Sequence, residues 1–490
     1  MASYRIHNIR FYSPEPKSAT CLCHEPKTKK LALARNDNSI EIWNVENAPF
    51  VECTIAAHAE NSVESILWIG PRLFSTGLQG AVIEYDLLTL GSKYKVMVIG
   101  AGVDGYLAVS SYPPKNLVKY PPLLQSPCAT ICRKSRCILL RYTNYLELWR
   151  LGSITKDPPE LIRSSMLHQL DEEPIKLLQL QAKGDESIIS CAINKDSKTI
   201  VYSTDTHVRV FNFDVIEGDA LLSRNDADLS MNRVQKMLFS PNGKLFITIN
   251  NDGDENTVTL FRVDKKSLRL IGSFNTTKES ITNVGLVCFS PDNKYLIFTD
   301  RQCGIAVYFI GNGITAESLK SWRLPKYSCP ATAIAVQKGT LNLVVVYSDH
   351  KIIEYNIPTR QYTMFSNSLQ NYLPKHWLAR PFPITNIIFD PHNENIIIMQ
   401  DDSSVYVINK NSELPEKEAK IPKRENGENT EDSNSISSSQ SQHAFQVAKK
   451  YKHLVYLNWL NDEELIAVEV NPTSLSEKLP PTLKQKFFGM

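Results

Sequence analysis

The stretch "SIEIWNV" (39–45) is one of eight similar short segments that decide the fold. Each segment alternates apolar residues with other residues and is rich in β-branched and aromatic side chains, the pattern of a half-buried β-strand. The other seven are "AVIEYDL" (81–87), "YLELWRL" (145–151), "HVRVFNF" (207–213), "TVTLFRV" (257–263), "GIAVYFI" (304–310), "KIIEYNI" (351–357) and "SVYVINK" (404–410). The pattern predicts an all-β chain.

The spacing of these segments indicates a repeat. Their fifth residues are Trp43, Tyr85, Trp149, Phe211, Phe261, Tyr308, Tyr355 and Ile408. Successive positions lie about 42 to 64 residues apart, and a four-stranded propeller blade takes about 40 to 50 residues, with loops absorbing any excess. We therefore predict a WD40-type β-propeller: one near-complete seven-bladed propeller preceded by about two blades of a truncated first propeller.

Acidic residues recur at a fixed distance before these strands. Asp37, Asp205, Asp349 and Asp402 each stand six residues before the fifth residue of a segment. A short carboxylate at this place accepts hydrogen bonds from the backbone of a tight turn between two strands. We expect these four residues to be structural turn residues.

The stretch "VMVIGAGVDGYLAV" (96–109) has the glycine spacing of a dinucleotide-binding loop. That loop requires a helix to begin at the glycines and present its N–H groups to a pyrophosphate. The following "YLAVSSYPPKNL" contains two prolines and reads as strand, which excludes such a helix. Aligned with "STGLQGAVIEYDL", Asp104 takes the acidic turn position and Gly105 supplies a positive φ. We predict a hairpin turn and no cofactor.

We call the fifth residues of the eight segments the ruler residues, and Ser110 aligns with that position. The interval from Tyr85 to Ser110 is too short to hold the last strand of one blade and the first two strands of the next. We predict a partial N-terminal propeller over 1–90, a seam at 91–97 and a C-terminal propeller over 98–471. A seam of this kind is expected where two ends of a longer protein are joined, by alternative splicing or by an incorrect gene model. The strands within 453–470 are expected to close the ring, since a propeller commonly joins its two chain ends in one blade.

Two charged segments lack strand patterning. Residues 411–442 carry Ser, Asn, Glu and Lys without apolar periodicity, which predicts a disordered loop. Lys423 and Arg424 in that loop are candidate nuclear-import residues, with a plain solvated loop as the alternative. Lys484 and Lys486 in the basic tail, 472–490, are candidate phosphate contacts, with solubility as the alternative.

Composition narrows the class of protein. A net charge of +2 excludes the global footprint of a dedicated nucleic-acid binder. The polar opening and the lack of any run of about 18 apolar residues predict a soluble intracellular protein without membrane contact. Two groups of cysteines lack paired zinc-ligand spacing: Cys21 and Cys23, and Cys128, Cys132 and Cys137. His58 is interpreted as a blade-edge residue rather than a general base, and no hydrolase, metalloprotease or P-loop motif is present. We expect no enzyme activity, no metal and no small-molecule substrate.

Longer phrases carry a more specific resemblance. They are "RLFSTGLQGAVIEYDL" (72–87), "NYLELWRLGS" (144–153), "SDHKIIEYNIPTRQYTMFSNSLQ" (348–370), "HWLARPFPITNIIFDP" (376–391) and "LPPTLKQKFFGM" (479–490). In order and over nearly the whole chain, they resemble the cirhin family of nucleolar WD40-repeat proteins associated with U3 small nucleolar RNA. The chain departs from the family, whose members look like two tandem propellers, because the internal blades of the first propeller are missing.

The resemblance implies a non-catalytic scaffold of ribosome biogenesis in the nucleolus. Its implied partners are other small-subunit processome proteins, the U3 small nucleolar ribonucleoprotein and pre-ribosomal RNA, with a role in 18S rRNA maturation and a link to rRNA gene transcription. Two alternatives remain: a cytoplasmic WD40 adaptor such as a ubiquitin-ligase substrate receptor, and an enzyme that uses the glycine motif to bind a nicotinamide cofactor.

Overall fold

The structure is a computed structural model in which nearly every regular element is a β-strand. It describes residues 5–55, 62–78, 82–86, 97–101, 106–111, 117–120, 127–153, 170–184, 186–195, 198–216, 219–225, 233–252, 255–264, 267–311, 319–369, 373–412, 444–451 and 453–470. Within these ranges the strands form ten sheets of three or four strands each. The predicted all-β, WD40-type propeller class is confirmed.

The first three sheets lie in the N-terminal part of the chain, and the strands of each follow one another along the sequence. Sheet 1 contains β2 (Ala19–Glu25), β3 (Lys30–Arg35), β4 (Ile40–Asn44) and β5 (Phe50–Ile55). Sheet 2 contains β6 (Ser65–Ile69), β7 (Arg72–Thr76) and β8 (Val82–Asp86). Sheet 3 contains β9 (Met97–Ala101), β10 (Leu107–Ser111) and β11 (Leu117–Tyr120).

Six further sheets are four-stranded antiparallel meanders. Sheet 4 contains β12 (Ala129–Cys132), β13 (Cys137–Arg141), β14 (Tyr145–Arg150) and β15 (Ile175–Gln181). Sheet 5 contains β16 (Ser190–Ile193), β17 (Thr199–Ser203), β18 (Val208–Ile216) and β19 (Asp219–Asn225). Sheet 6 contains β20 (Lys236–Phe239), β21 (Leu245–Asp252), β22 (Glu255–Val263) and β23 (Leu268–Asn275). Sheet 7 contains β24 (Val284–Phe289), β25 (Tyr295–Asp300), β26 (Ile305–Phe309) and β27 (Lys320–Arg323). Sheet 8 contains β28 (Ala331–Val336), β29 (Asn342–Tyr347), β30 (Ile352–Asn356) and β31 (Gln361–Tyr362). Sheet 9 contains β32 (Asn386–Phe389), β33 (Ile396–Gln400), β34 (Ser404–Asn409) and β35 (Phe445–Lys450).

Sheet 10 joins the two ends of the chain. Its strands β36 (Leu454–Trp459) and β37 (Glu464–Glu469) pair antiparallel, and β1 (Arg5–Ile9) pairs with β37 in parallel. His7 is opposite Ile466 in this register. The prediction that strands within 453–470 share a closing blade with the other chain end is confirmed.

Sheets 4 to 10 form a closed ring of seven, because each packs on the next through its own buried hydrophobic cluster. The closing cluster joins Ile138 and Leu140 of sheet 4 to Ile466 and Val468 of sheet 10. Closure leaves no sheet face of the ring without a neighbour, which is how propellers bury small antiparallel sheets.

Sheets 1 to 3 form a separate group in which sheet 1 is the middle layer. Ile40 and Ile42 of sheet 1 pack with Trp68 of sheet 2. Leu31 and Leu33 of sheet 1 lie in a cluster with Leu107 and Val109 of sheet 3. Sheet 3 therefore packs on sheet 1, and the ring itself begins with sheet 4.

The ruler residues all lie in the third strand of their sheets, where they enter the hydrophobic core. Tyr355 and Ile408 are fully buried, and Trp43, Phe261 and Tyr308 nearly so. Their recurrence thus reflects the same packing position in successive sheets.

Two short helices interrupt the strand pattern between sheets 8 and 9. They are α1 (Met364–Leu369) and α2 (Lys375–Leu378), and a short 3-10 helix covers Thr276–Glu279. The sequence patterning predicted neither α1 nor α2. We call residues 363–369 and 373–382 together the insert.

Candidate functional site

Two of the predicted turn carboxylates accept the expected backbone bonds. Asp37 accepts a hydrogen bond from the N–H of Ser39 at 3.1 Å, and an ion pair with Lys17 helps to hold its pKa below the ordinary value despite burial. Asp349 accepts from the N–H of Lys351, also at 3.1 Å. Both side chains hold the turn that precedes the third strand of their sheet.

The other two described turn carboxylates make different contacts. Asp205 forms an ion pair with Arg233 at 3.3 Å. Asp402 pairs with His453 at 3.1 Å, while the backbone N–H groups of its turn donate to the neighbouring Asp401. The six-residue spacing pointed to Asp402, whereas the carboxylate that accepts the turn N–H groups is Asp401, one residue earlier. The two aspartates are adjacent, and only their contacts distinguish them.

The remaining predicted site residues lie outside the described part of the chain. They are Asp104, Gly105, Lys423, Arg424, Lys484 and Lys486, and the predicted loop 411–442 falls almost wholly there as well. Their roles stay predictions.

The insert docks on the ring through buried Trp377. The indole N–H of Trp377 donates to the carbonyl oxygen of His350 at 2.7 Å, and the ring stacks edge-on against Tyr406 and packs against Phe445 of sheet 9. Because Trp377 is only 1% exposed, it ties α2 to two neighbouring sheets at once.

Arg380 connects this tryptophan to both sheets. Its guanidinium lies over the rings of Trp377 and Tyr406, 3.8 Å from the carboxylate of Asp401. One Nη2–H lies 3.0 Å from Nδ1 of His350, while Nε2 of that histidine lies 2.9 Å from the carbonyl oxygen of Arg380. The neutral His350 tautomer that satisfies both contacts accepts at Nδ1 and donates at Nε2. Burial, followed by the charge of Arg380, lowers the pKa of His350 to about 4.

The sequence patterning missed this network. Its signal was the run "HWLARPFP", which enters the resemblance as a phrase but has neither strand nor helix periodicity. A tryptophan and an arginine three residues apart, next to prolines, form a compact aromatic–cation pair only when a tertiary surface receives them.

The same insert contacts sheets 1 to 3. The hydroxyl of Tyr120, at the end of sheet 3, donates to the carbonyl oxygen of Pro381 at 2.9 Å, and its ring meets Phe382 edge-on. The ring of Trp43 of sheet 1 also packs edge-on against Tyr120. Nearby, the N–H of Ala48 donates to the carbonyl oxygen of Ser348. The insert is thus one of the contacts between the two groups of sheets.

The first strands of the seven ring sheets surround a central cavity of about 1970 Å³, whose lining also includes β5 of sheet 1. The ring sheets contribute charged residues of the two signs unevenly to its lining. Sheets 4 to 7 and the turns beside them contribute the cations Arg133, Arg141, Lys195, Arg233, Lys236 and Arg301. Sheet 7 also contributes the acid Asp300, and sheets 8 to 10 contribute the cation Lys338 and the acids Asp390, Glu394, Asp402 and Asp462. The N-terminal part of the chain adds the acids Glu15, Asp37, Glu41 and Glu52 and the cations Lys17 and Arg35. We call the first set the cationic side of the channel.

We also searched the described residues for a metal site and for a membrane-spanning helix. No group of three or more His, Cys, Asp or Glu side chains in these ranges is arranged to hold a metal ion. No described helix has the length and apolar character needed to cross a membrane.

Comparison with known proteins gives a consistent set of relatives. No family model matches the chain. The chain is 27% identical over 94% of its length to a human protein named U3 small nucleolar RNA-associated protein 4 homolog, and 29% identical over 94% to the mouse protein of that name. It is 22% identical over 80% of its length to the Schizosaccharomyces pombe protein named U3 small nucleolar RNA-associated protein 4. The resemblance predicted from the sequence phrases is confirmed.

The chain is shorter than these relatives. Its match spans 65% of the human and mouse proteins and 57% of the S. pombe protein.

Proposed function

We propose that this chain is a non-catalytic scaffold of ribosome biogenesis and a component of the small-subunit processome. In this role it associates in the nucleolus with the U3 small nucleolar ribonucleoprotein and other processome proteins, and supports the pre-rRNA cleavages that lead to 18S rRNA. A link to rRNA gene transcription belongs to the same proposal. The observation that carries it is the similarity, over 94% of the chain, to two proteins named for association with U3 small nucleolar RNA.

The architecture supports a holding role. A ring of seven sheets is rigid and presents its turns and edges as separate surfaces for partners. The insert adds exposed apolar side chains to the rim, with Met364 90% exposed and Leu378 46% exposed. We propose the insert as one protein-binding surface, since neither side chain contributes to the buried core.

We also propose that sheets 1 to 3 are part of a shortened first propeller, with the predicted seam at 91–97 between sheets 2 and 3. Support comes from the packing of sheet 1 between the other two, which is the order expected if sheet 3 were the last blade of a ring and sheet 1 the first. The lower coverage of the longer relatives agrees with missing blades. This proposal differs from the predicted division into 1–90 and 98–471, because it assigns sheet 3 to the first propeller and β1 to the closing sheet of the ring. The division itself stays a prediction.

The test is immunoprecipitation of the tagged full chain from nucleolar extract, with U3 RNA quantified against an unrelated small nucleolar RNA. We expect selective enrichment of U3. An RNase-treated arm separates protein partners from RNA-bridged ones. Equal recovery of both RNAs, together with diffuse cytoplasmic staining, would contradict the proposal and favour the cytoplasmic adaptor.

Depletion tests the processing role. Cells depleted of the protein should accumulate early pre-rRNA species on a northern blot. Expression of the full chain should return these precursors to their normal level. Met364→Glu should weaken recovery of at least one protein partner, whereas Leu221→Glu, an exposed apolar position on sheet 5, is the matched control. Unchanged precursors after verified depletion would refute the processing role.

A further inference from the structure

The cationic side of the channel includes Lys236 and Arg301, two charged residues that a scaffolding role does not require. Lys236 begins β20, the first strand of sheet 6, and its side chain is half-buried in the channel lining. Arg301 follows β25 in the neighbouring sheet 7 and lines the same cavity. In the described part of the chain, the Nε of Arg301 is buried without a hydrogen-bond partner, and Lys236 has no carboxylate ion pair. Half-buried cations without counter-charges carry a desolvation cost that a bound anion would offset.

The neighbouring cations affect the pKa of Lys236. Burial first, and then the charges of Arg301 and Arg141, lower the pKa of Lys236 to about 8. Arg141 is held in place because its Nη1 donates to the carbonyl oxygen of Ile189 at 2.6 Å. Asp300, the lining acid that sheet 7 contributes, is buried and already accepts a hydrogen bond from the N–H of Gly304. The acids of sheets 8 to 10 belong to the other sheets of the ring. The lining acids Asp37, Glu41 and Glu52 of the N-terminal group already form ion pairs with Lys17, Arg35 and Lys30.

We propose that the cationic side of the ring channel, centred on Lys236, Arg301 and Arg141, binds a small multiply phosphorylated anion. Arginine donates paired N–H groups to phosphate oxygens and lysine adds a mobile point charge, so the set suits phosphate better than a single carboxylate. Several converging cations favour a ligand with more than one phosphate group. A compact ligand fits within the cavity of about 1970 Å³ that the seven inner strands and β5 line. This inference is independent of the proposed function.

Isothermal titration of the full chain with inorganic tripolyphosphate and, separately, with inositol hexakisphosphate tests the site. We expect saturable binding of at least one, and the tighter ligand indicates whether the natural source is inorganic or inositol-based. The Lys236→Met and Arg301→Met double variant should bind at least about tenfold more weakly, because two charge-assisted contacts are lost. Lys338→Met, in the same cavity but on sheet 8, should bind as the wild type does.

Thermal unfolding without ligand verifies that each variant is folded, and removal of half-buried cations is not expected to lower the midpoint. The proposal is overturned if neither polyphosphate binds saturably, if the double variant binds normally, or if Lys338→Met loses affinity equally. It is also overturned if a short single-stranded RNA binds and both small polyphosphates do not.

Discussion

The guanidinium carbon of Arg380 lies 3.6 Å from the centroid of the Trp377 ring, and this pair is buried where the insert meets sheets 8 and 9. The adjoining Pro381 and Phe382 contact Tyr120 from sheet 3. One buried cation therefore supports both the ring and the contact between the two groups of sheets.

Replacing Arg380 by Met should destabilise the ring strongly. The substitution leaves the 0%-exposed Asp401 without its cation and removes the donor to His350. We expect the free energy of unfolding to fall by about 3–5 kcal/mol, the range for removing one partner of a buried ion pair. Urea unfolding measures it, with Arg360→Met as the control. Arg360 is exposed above Trp322, so its loss should cost less than about 1 kcal/mol. Equal shifts for the two variants would contradict the account.

His350 should make stability depend on pH on the acid side. Its folded pKa of about 4 lies below the ordinary 6.5, so between these values the unfolded chain binds more protons. The free energy of unfolding should therefore fall as pH falls from 6.5 to 4, by at most roughly 3 kcal/mol from this group, and its contribution should be complete above pH 6.5. Carboxylates titrate in the same range, so the measured quantity is the slope of wild type minus that of His350→Asn. The same substitution at exposed His392 is the control, and identical slopes for His350→Asn and wild type would count against the prediction.

Gly243 should tolerate a side chain worse than Gly70 does. Both adopt positive φ, +71° and +59°. A Cβ at Gly243 would lie 2.5 Å from Oδ1 of Asn194, an oxygen that also accepts the N–H of Lys195, whereas nothing lies within 4 Å of a Cβ at Gly70. Gly70→Ala should cost about 1 kcal/mol for backbone strain alone, and Gly243→Ala about 2 kcal/mol or more. Thermal unfolding midpoints compare them, and a larger loss at Gly70 would refute the steric argument.

Tyr120→Phe should loosen sheet 3 from the insert. It removes one hydrogen bond to Pro381 from a buried site, an expected loss of about 1 kcal/mol. Hydrogen exchange should accelerate in β10 and β11 while β29 and β33 in the ring keep their protection. Tyr85→Phe removes a hydroxyl contact with Ser75 inside sheet 2 and serves as the control. Faster exchange across the whole ring would show that the two groups of sheets do not separate in this way.

The strand repeat was predictable because each segment carries its own period-two pattern, and seven of the eight carry an aromatic residue at the fifth position. The turn carboxylates Asp37 and Asp349 were predictable for the same reason, since their partners lie two residues away. Asp402 shows the limit, because two adjacent aspartates satisfy the same spacing and only the contacts identify Asp401 as the turn acceptor. The helices of the insert were missed because six and four residues are too few to display a helical period.

By itself the sequence determined the class of the fold, the location of most strands and the closure of the ring by both chain ends, because these depend on short-range alternation and on recurrence. Only the tertiary structure decided that sheet 3 packs on sheet 1, that Arg380 is buried over Trp377, and that six cations share one side of the channel. The physical reason is that these relationships join residues far apart in the chain, such as Tyr120 and Pro381, whose contact is selected by packing and electrostatics and leaves no local pattern.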